Sequence, residues 1–100
     1  MSEPVTVIAI ITVKAGQEAR AQALLQSIVP ATLQEPGCLA YELHQSVTAP
    51  AEFMFFEQWE SHEALAAHAA STAPHRLALR EQLADLADGR PSVTRWRATR

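Results

Sequence analysis

The chain has 100 residues, of which 48% are hydrophobic and 19% charged, and its formal net charge is −3. This composition is too apolar for a disordered segment, and the negative charge argues against non-specific binding to nucleic acid or to an anionic membrane. We expect no membrane-spanning helix, because no run of about 18 uncharged apolar residues occurs. The sequence shows no signal peptide, and its one cysteine cannot form an internal disulfide, so we expect a cytoplasmic protein.

The first two predicted elements are a strand and a helix. Val5 to Lys14 is rich in β-branched residues and apolar on both faces in its middle, which predicts a strand covered on both sides. Gln17 to about Leu33 has an apolar stripe at helical spacing. Pro30 lies inside this helix, so we expect a kink or an early end there. A turn follows at 35–37.

Residues 38–47 and 52–59 predict two further strands, joined closely enough to form an antiparallel hairpin. The alternation places Leu39, Tyr41 and Leu43 on one face of the first of these strands. In the second strand one face carries three aromatic residues and a carboxylate, namely Phe53, Phe55, Glu57 and Trp59.

Ser61 is suited to cap the next helix, which ends near Pro74 and carries Leu65 and His68 on one face. A further helix from about His75 to Asp88 ends at Gly89, and residues 93–98 form a last strand.

This order predicts an α+β, ferredoxin-like β-α-β-β-α-β fold in one domain, residues 1–100, with a core from about 5 to 97. Helices would cover one face of the antiparallel sheet. The bare face predicts a homodimer by two-fold symmetry.

Several kinds of site are not expected. The three glycines are scattered and form no phosphate loop, and no GxSxG motif for a serine hydrolase occurs. We expect no metal site, because the histidines have no metal-binding spacing. These histidines are His44, His62, His68 and His75.

Two titratable residues are candidates for chemistry. Glu57 lies between aromatic residues on a buried strand and needs a partner. It is either a pocket carboxylate with a raised pKa or a structural residue, which would be at the surface on a twisted strand end or bonded to backbone or arginine. His68, on an apolar helix face, is either a general base or a packed, hydrogen-bonded histidine. Tyr41 is a candidate pocket phenol, although the strand pattern leaves open whether it shares the side of Glu57.

The remaining candidates are expected to be structural or solvated. His44 lies opposite Tyr41 and is expected at the surface or in the dimer interface. His62 and His75 at helix starts are expected in solvent. Cys38 is expected to behave as a small buried hydrophobic residue.

The segments TVIAIITVKAGQE, EPGCLAYELHQS and FMFFEQWESHEALAAHAAS together resemble the antibiotic biosynthesis monooxygenase domain family. The resemblance covers about Val5 to Trp96. Within the family the chain looks most like the small quinol monooxygenases. The most specific part is Glu57, Trp59 and Ser61 followed by Ala64, Leu65 and His68. The Pro36-Gly37-Cys38 turn that leads to Tyr41 is also typical of the family.

The resemblance implies a dimeric α+β barrel that oxygenates a quinol-like or polycyclic aromatic compound with dioxygen, without metal or flavin. His68 would be the base or anion-stabilising group, and Glu57 would orient a partner or hold a substrate hydroxyl. The implied walls of the substrate site are Tyr41, Phe55, Trp59 and Leu65.

The haem-degrading branch of the superfamily is disfavoured. That branch uses an asparagine, a tryptophan and a histidine at positions that are Ala9, His68 and Ala78 here.

Two other functions remain open. The chain could instead be a dimeric, non-catalytic binding module for small hydrophobic metabolites. It could also be an isomerase or degradation enzyme for a small phosphorylated metabolite, for which Arg76 and Arg80 are the available cations near the site.

Overall fold

A computed structural model describes residues 3–99, which form an antiparallel sheet with helices packed against one of its faces. Within these residues the strands are ordered β2-β3-β1-β4, as the ferredoxin-like arrangement requires. The α+β prediction is therefore confirmed. The elements are β1 (Val5–Thr12), α1 (Glu18–Ser27), α2 (Val29–Leu33), β2 (Cys38–Gln45), β3 (Glu52–Trp59), α3 (His62–Ala70), α4 (Pro74–Leu86) and β4 (Ser92–Trp96).

The core forms where the alternating apolar faces of β1 and β3 meet the helices. Val7 pairs with Glu57 and Ala9 with Phe55, so the buried positions of the two central strands point to the same side. Ala21 and Leu25 of α1 are fully buried against them. The predicted inward face of β3 is confirmed, because all four of its residues are at most 5% exposed.

The predicted interruption of the first helix occurs at Ile28. This residue separates α1 from α2, and Pro30 occupies the first turn of α2, where a missing amide hydrogen costs nothing. The predicted cap of α3 is also confirmed, because the Ser61 hydroxyl accepts a hydrogen bond of 3.0 Å from the Ala64 amide.

The alternation predicted for β2 is wrong at its first residues. A bulge between Cys38 and Ala40 adds one residue against β3 and shifts the pattern. Leu39 is consequently 57% exposed, whereas Tyr41 is buried.

The second face of the sheet is not covered in the single chain. Ile10 of β1 and Trp96 of β4 are exposed large apolar residues on this face. The expectation that both faces of β1 are covered thus holds within one chain only for the helix side. Across residues 3–99, no helix has both the length and the apolar character needed to cross a membrane.

Candidate functional site

A cavity of about 270 Å³ lies between the helix side of the sheet and helices α3 and α4. Its walls are mostly apolar, and a few polar groups from the sheet and helices reach it. Such a combination is typical of small-molecule sites. The lining includes five of the six residues that we selected from the sequence, namely Tyr41, Phe55, Glu57, Leu65 and His68.

Strand register brings the sheet residues of the site together. Tyr41 pairs directly with Glu57, so the two side chains share the helix side of the sheet. This answers the question that the strand pattern left open. The Tyr41 ring stacks on Phe55 with the ring centroids 4.6 Å apart, and burial raises the pKa of the Tyr41 phenol. Tyr41 therefore stays protonated and can donate a hydrogen bond to a ligand.

His68 projects from α3 towards the cavity and is 6% exposed. Its Nδ1 atom lies 2.8 Å from Oε1 of Glu35. An ionised carboxylate can only accept hydrogen bonds, so Nδ1 carries the hydrogen and the lone pair of the neutral ring is on Nε2. Among residues 3–99, Nε2 of His68 has no hydrogen-bond partner. The arrangement presents a basic nitrogen to a ligand.

Glu35 holds two histidines at once. Its second oxygen accepts a hydrogen bond of 2.7 Å from Nε2 of His75. Burial alone would raise the pKa of Glu35, but the hydrogen bonds from His75 and His68 outweigh burial and lower that pKa. The carboxylate is therefore ionised at neutral pH. The prediction that His75 is solvated is wrong, because its side chain is only 18% exposed.

The protonation state of His68 suits a base. Burial lowers the pKa of His68, and the hydrogen bond that His68 donates to Glu35 offsets part of that effect. The imidazole is thus neutral near pH 7 and can accept a proton through Nε2.

Glu57 is the second buried carboxyl group of the cavity. It is 5% exposed, and its Oε1 atom accepts a hydrogen bond of 3.0 Å from the indole nitrogen of Trp59. Burial raises the pKa of Glu57, although the Trp59 hydrogen bond and the charge of Arg76 oppose this shift. The partner that the sequence required is therefore an indole, and a solvated strand end is excluded.

Trp59 differs from the other predicted site residues. It is fully buried and does not line the cavity. It pairs with Val5 and Cys38 near the end of the sheet, where its ring packs against His68 with the centroids 4.5 Å apart. Trp59 therefore contacts His68 and Glu57 without lining the cavity, and its role as a wall of the substrate site stays a prediction.

Three arginines also line the cavity: Arg76, Arg80 and Arg95. Arg80 donates hydrogen bonds to the carbonyl oxygens of Ala69 and Ser71 and so caps the carboxyl end of α3. The expectation that Arg76 and Arg80 lie near the site is thus met geometrically, and Arg95 was missed.

The other candidate residues lie outside the cavity lining. His44 is exposed and lies 3.3 Å from Glu42, and His62 is exposed as predicted. Cys38 is half-buried against the core, and burial raises the pKa of its thiol to about 11. That thiol is therefore a poor nucleophile at neutral pH.

Glu35 and His75 are site residues that sequence reasoning missed. Glu35 is hydrogen-bonded to His68, 33 positions further along the chain, and to His75, 40 positions further along. The available signal was topological. In an antiparallel hairpin the start of β2 lies beside the end of β3, so the turn before β2 must lie next to the helix that follows β3.

Comparison with known proteins assigns the class. A family model described as "Antibiotic biosynthesis monooxygenase" matches residues 4–87. The chain belongs to the antibiotic biosynthesis monooxygenase family, which supports a general monooxygenase-type function.

Individual relatives agree with this class. The protein named "Putative monooxygenase Rv0793" of Mycobacterium tuberculosis is 34% identical over 94 residues, which cover 94% of this chain and 90% of that protein. The solved structure of Rv0793 has a TM-score of 0.86 at 32% identity and covers 98% of this chain and 97% of its own. The structure of PA3566 from Pseudomonas aeruginosa has a TM-score of 0.89 at 29% identity, covering 100% of this chain and 98% of that one.

A third relative matches over a shorter stretch. The uncharacterized protein sll1783 of Synechocystis sp. is 33% identical over 66 residues, or 66% of this chain. The match spans 45% of that longer protein.

Proposed function

We propose that the chain is a monooxygenase that oxidises a quinol-like or fused-ring aromatic compound with dioxygen and without a metal or flavin. The observation that carries this proposal is the pairing of Glu35 with His68 at the edge of an apolar cavity. The pairing leaves a neutral imidazole nitrogen as a base, and ionising an electron-rich phenol makes it able to reduce dioxygen directly.

The proposed reaction starts with proton transfer from a substrate hydroxyl to Nε2 of His68. The resulting phenolate gives one electron to dioxygen, and the two radicals combine to form a C–O bond on the ring. The peroxide then takes the proton from His68. Loss of water, with the hydrogen of the attacked ring carbon, breaks the O–O bond and leaves a carbonyl. One oxygen atom of dioxygen remains in the product and the other leaves as water.

The remaining polar groups would orient the substrate. Glu57, whose raised pKa favours the protonated form, can hold a second hydroxyl or carbonyl of the substrate. Tyr41, Phe55 and Leu65 provide an apolar wall against which an aromatic ring can pack. A cavity of about 270 Å³ is near the lower limit of ligand pockets, which favours a compact ligand of two or three rings.

We further propose that the protein acts as a homodimer. Members of the family are often dimeric, and the exposed apolar side of the sheet is a surface that a second copy would cover.

The test is oxygen uptake by metal-stripped protein with reduced naphthoquinols and anthrones, corrected for autoxidation. We expect uptake that survives chelation and that falls at least about 100-fold in His68→Ala, because a positioned general base contributes a factor of this order. His62→Ala is the matched control, since it removes an exposed histidine outside the cavity lining. Its uptake should equal that of the parent.

Two results would contradict the proposal. Normal turnover by a folded His68→Ala protein would show that His68 is not the base. No uptake across the panel, with binding of the same compounds retained, would favour a non-catalytic binding module.

A further inference from the structure

Arg76 is a cation on the cavity wall whose side-chain donors make no hydrogen bond within the described residues 3–99. Its Nε atom is buried and has no hydrogen-bond partner among residues 3–99. No carboxylate oxygen within this part of the chain lies within 4.0 Å of an Arg76 nitrogen. A buried cationic donor without a partner costs stability, so its presence calls for an explanation.

The two other arginines of the lining are in different situations. The guanidinium of Arg80 is bound to two backbone carbonyls of α3 and its loop. Arg95 lies on β4, where every residue is exposed and water can satisfy its donors. Arg76 is therefore the arginine of this cavity with a buried donor, Nε, that has no hydrogen-bond partner among residues 3–99.

Glu57 is not a counter-ion of Arg76. It shares the cavity with Arg76 but makes no ion pair with it among the described residues, and its Oε1 atom is bound to the indole of Trp59. The charge of Arg76 nevertheless lowers the pKa of Glu57, and it also lowers the pKa of Tyr41. Arg76 thus lies close enough to these groups to act on whatever occupies the space between them.

We propose that Arg76 forms an anion-binding subsite, so that the ligand of this cavity is an aromatic compound that carries a carboxylate. A planar guanidinium can donate two parallel hydrogen bonds to a carboxylate, which would satisfy the buried Nε and neutralise its charge. The aromatic part of the ligand would pack on Tyr41 and Phe55. This inference rests on the proposed use of the cavity as the substrate site and adds the charge of the substrate.

The test compares 2-naphthoate with 2-naphthamide by calorimetric titration. The two probes share a ring system and differ in charge, and neither has a phenolic hydroxyl, so binding is measured without turnover. We expect the parent protein to bind the carboxylate at least about tenfold more tightly than the amide, as one charge-assisted contact provides. Arg76→Gln should remove this preference and leave the affinity for the amide unchanged. Arg97→Gln, which changes the net charge equally outside the lining of this cavity, should keep the preference.

Thermal unfolding provides a second readout. Because Arg76 has no partner in the described chain, Arg76→Met should unfold at the same temperature as the parent or higher, while protection by 2-naphthoate is lost. Equal affinity for the two probes in the parent, or an unchanged preference in Arg76→Gln, would overturn the subsite. Displacement of 2-naphthoate by millimolar inorganic phosphate would also overturn it, in favour of a phosphorylated ligand. Oxygen uptake with uncharged naphthoquinols is unaffected by these outcomes, so failure of the subsite and failure of the monooxygenase proposal are distinguishable.

Discussion

At the scale of single residues, Glu35 fixes the tautomer of His68 and opposes the effect of burial on its charge. Burial lowers the pKa of His68 from 6.5, and the carboxylate opposes that shift. The fall of the proposed activity at acid pH, which is the acid limb of its pH profile, should therefore lie below pH 6.5. Glu35→Gln should move this limb to lower pH, because the charge that favours the imidazolium is gone. Its plateau rate should fall about 10- to 100-fold, as is typical when the partner that orients a histidine is removed. A pH profile of kcat/KM measures both effects.

His75→Gln is the matched variant at this scale. It alters the other hydrogen bond to Glu35, and the charge of His75 lowers the pKa of His68. The acid limb should consequently move to higher pH, opposite to the shift in Glu35→Gln. A purely structural role for the three residues would reduce activity without moving the limb. Shifts in the same direction in both variants would contradict the electrostatic account.

At the scale of elements, the turn before β2 places Glu35 beside α3. Gly37 has φ +83, and a Cβ built at this position would lie 2.5 Å from Cβ of Ala64. Gly37→Ala should therefore lose about 1 kcal/mol for the backbone conformation and about 1–3 kcal/mol more for overpacking against α3. Denaturant unfolding measures the loss. Activity should fall as well, because any shift of the turn moves Glu35 away from His68.

Gly89→Ala separates the two contributions. Gly89 has φ +85, and a Cβ there would meet no atom within 4 Å. This variant should show only the backbone cost, with activity unchanged. If the two alanine variants lost the same stability, close packing between the turn and α3 would not be a determinant of the site.

Local patterns were sufficient to predict most elements and the composition of β3. The alternation of Phe55, Glu57 and Trp59 was enough to place them on one buried face, because period two in a strand depends on the chain alone. The face of Tyr41 was not predictable, since it depends on a bulge and on the register between β2 and β3.

The Glu35 cluster shows why part of the site was missed. Each of its hydrogen bonds joins different elements, and a carboxylate in a turn has the same local pattern whether it is solvated or buried. His75 likewise looked solvated, because the start of a helix is usually exposed. Only the assembled topology shows that the turn, α3 and α4 meet at one end of the sheet.

At the scale of the whole molecule, the side of the sheet opposite the helices determines the expected assembly. Ile8 of β1 pairs with Phe56, and Ile10 pairs with Met54, so apolar side chains run across the centre of this side. A stable dimer buries about 800 Å² per partner, and a four-stranded sheet face provides a continuous surface for it. We expect a dimer in light scattering at micromolar concentration. Ile10→Glu should give a folded monomer, because two-fold packing would bury the charge near its own copy.

Val47→Glu is the control for this substitution. Val47 is 99% exposed in the loop between β2 and β3, so the same change of charge and polarity there should leave the dimer intact. A monomeric parent protein would contradict the proposed assembly, as would an Ile10→Glu protein that remained dimeric. In the second case the sheet face would lack the role assigned to it, and a different surface would have to join the subunits. The cavity on the helix side would be unaffected by either result, because His68, Glu35 and Arg76 all belong to one chain on the side of the sheet that the helices cover.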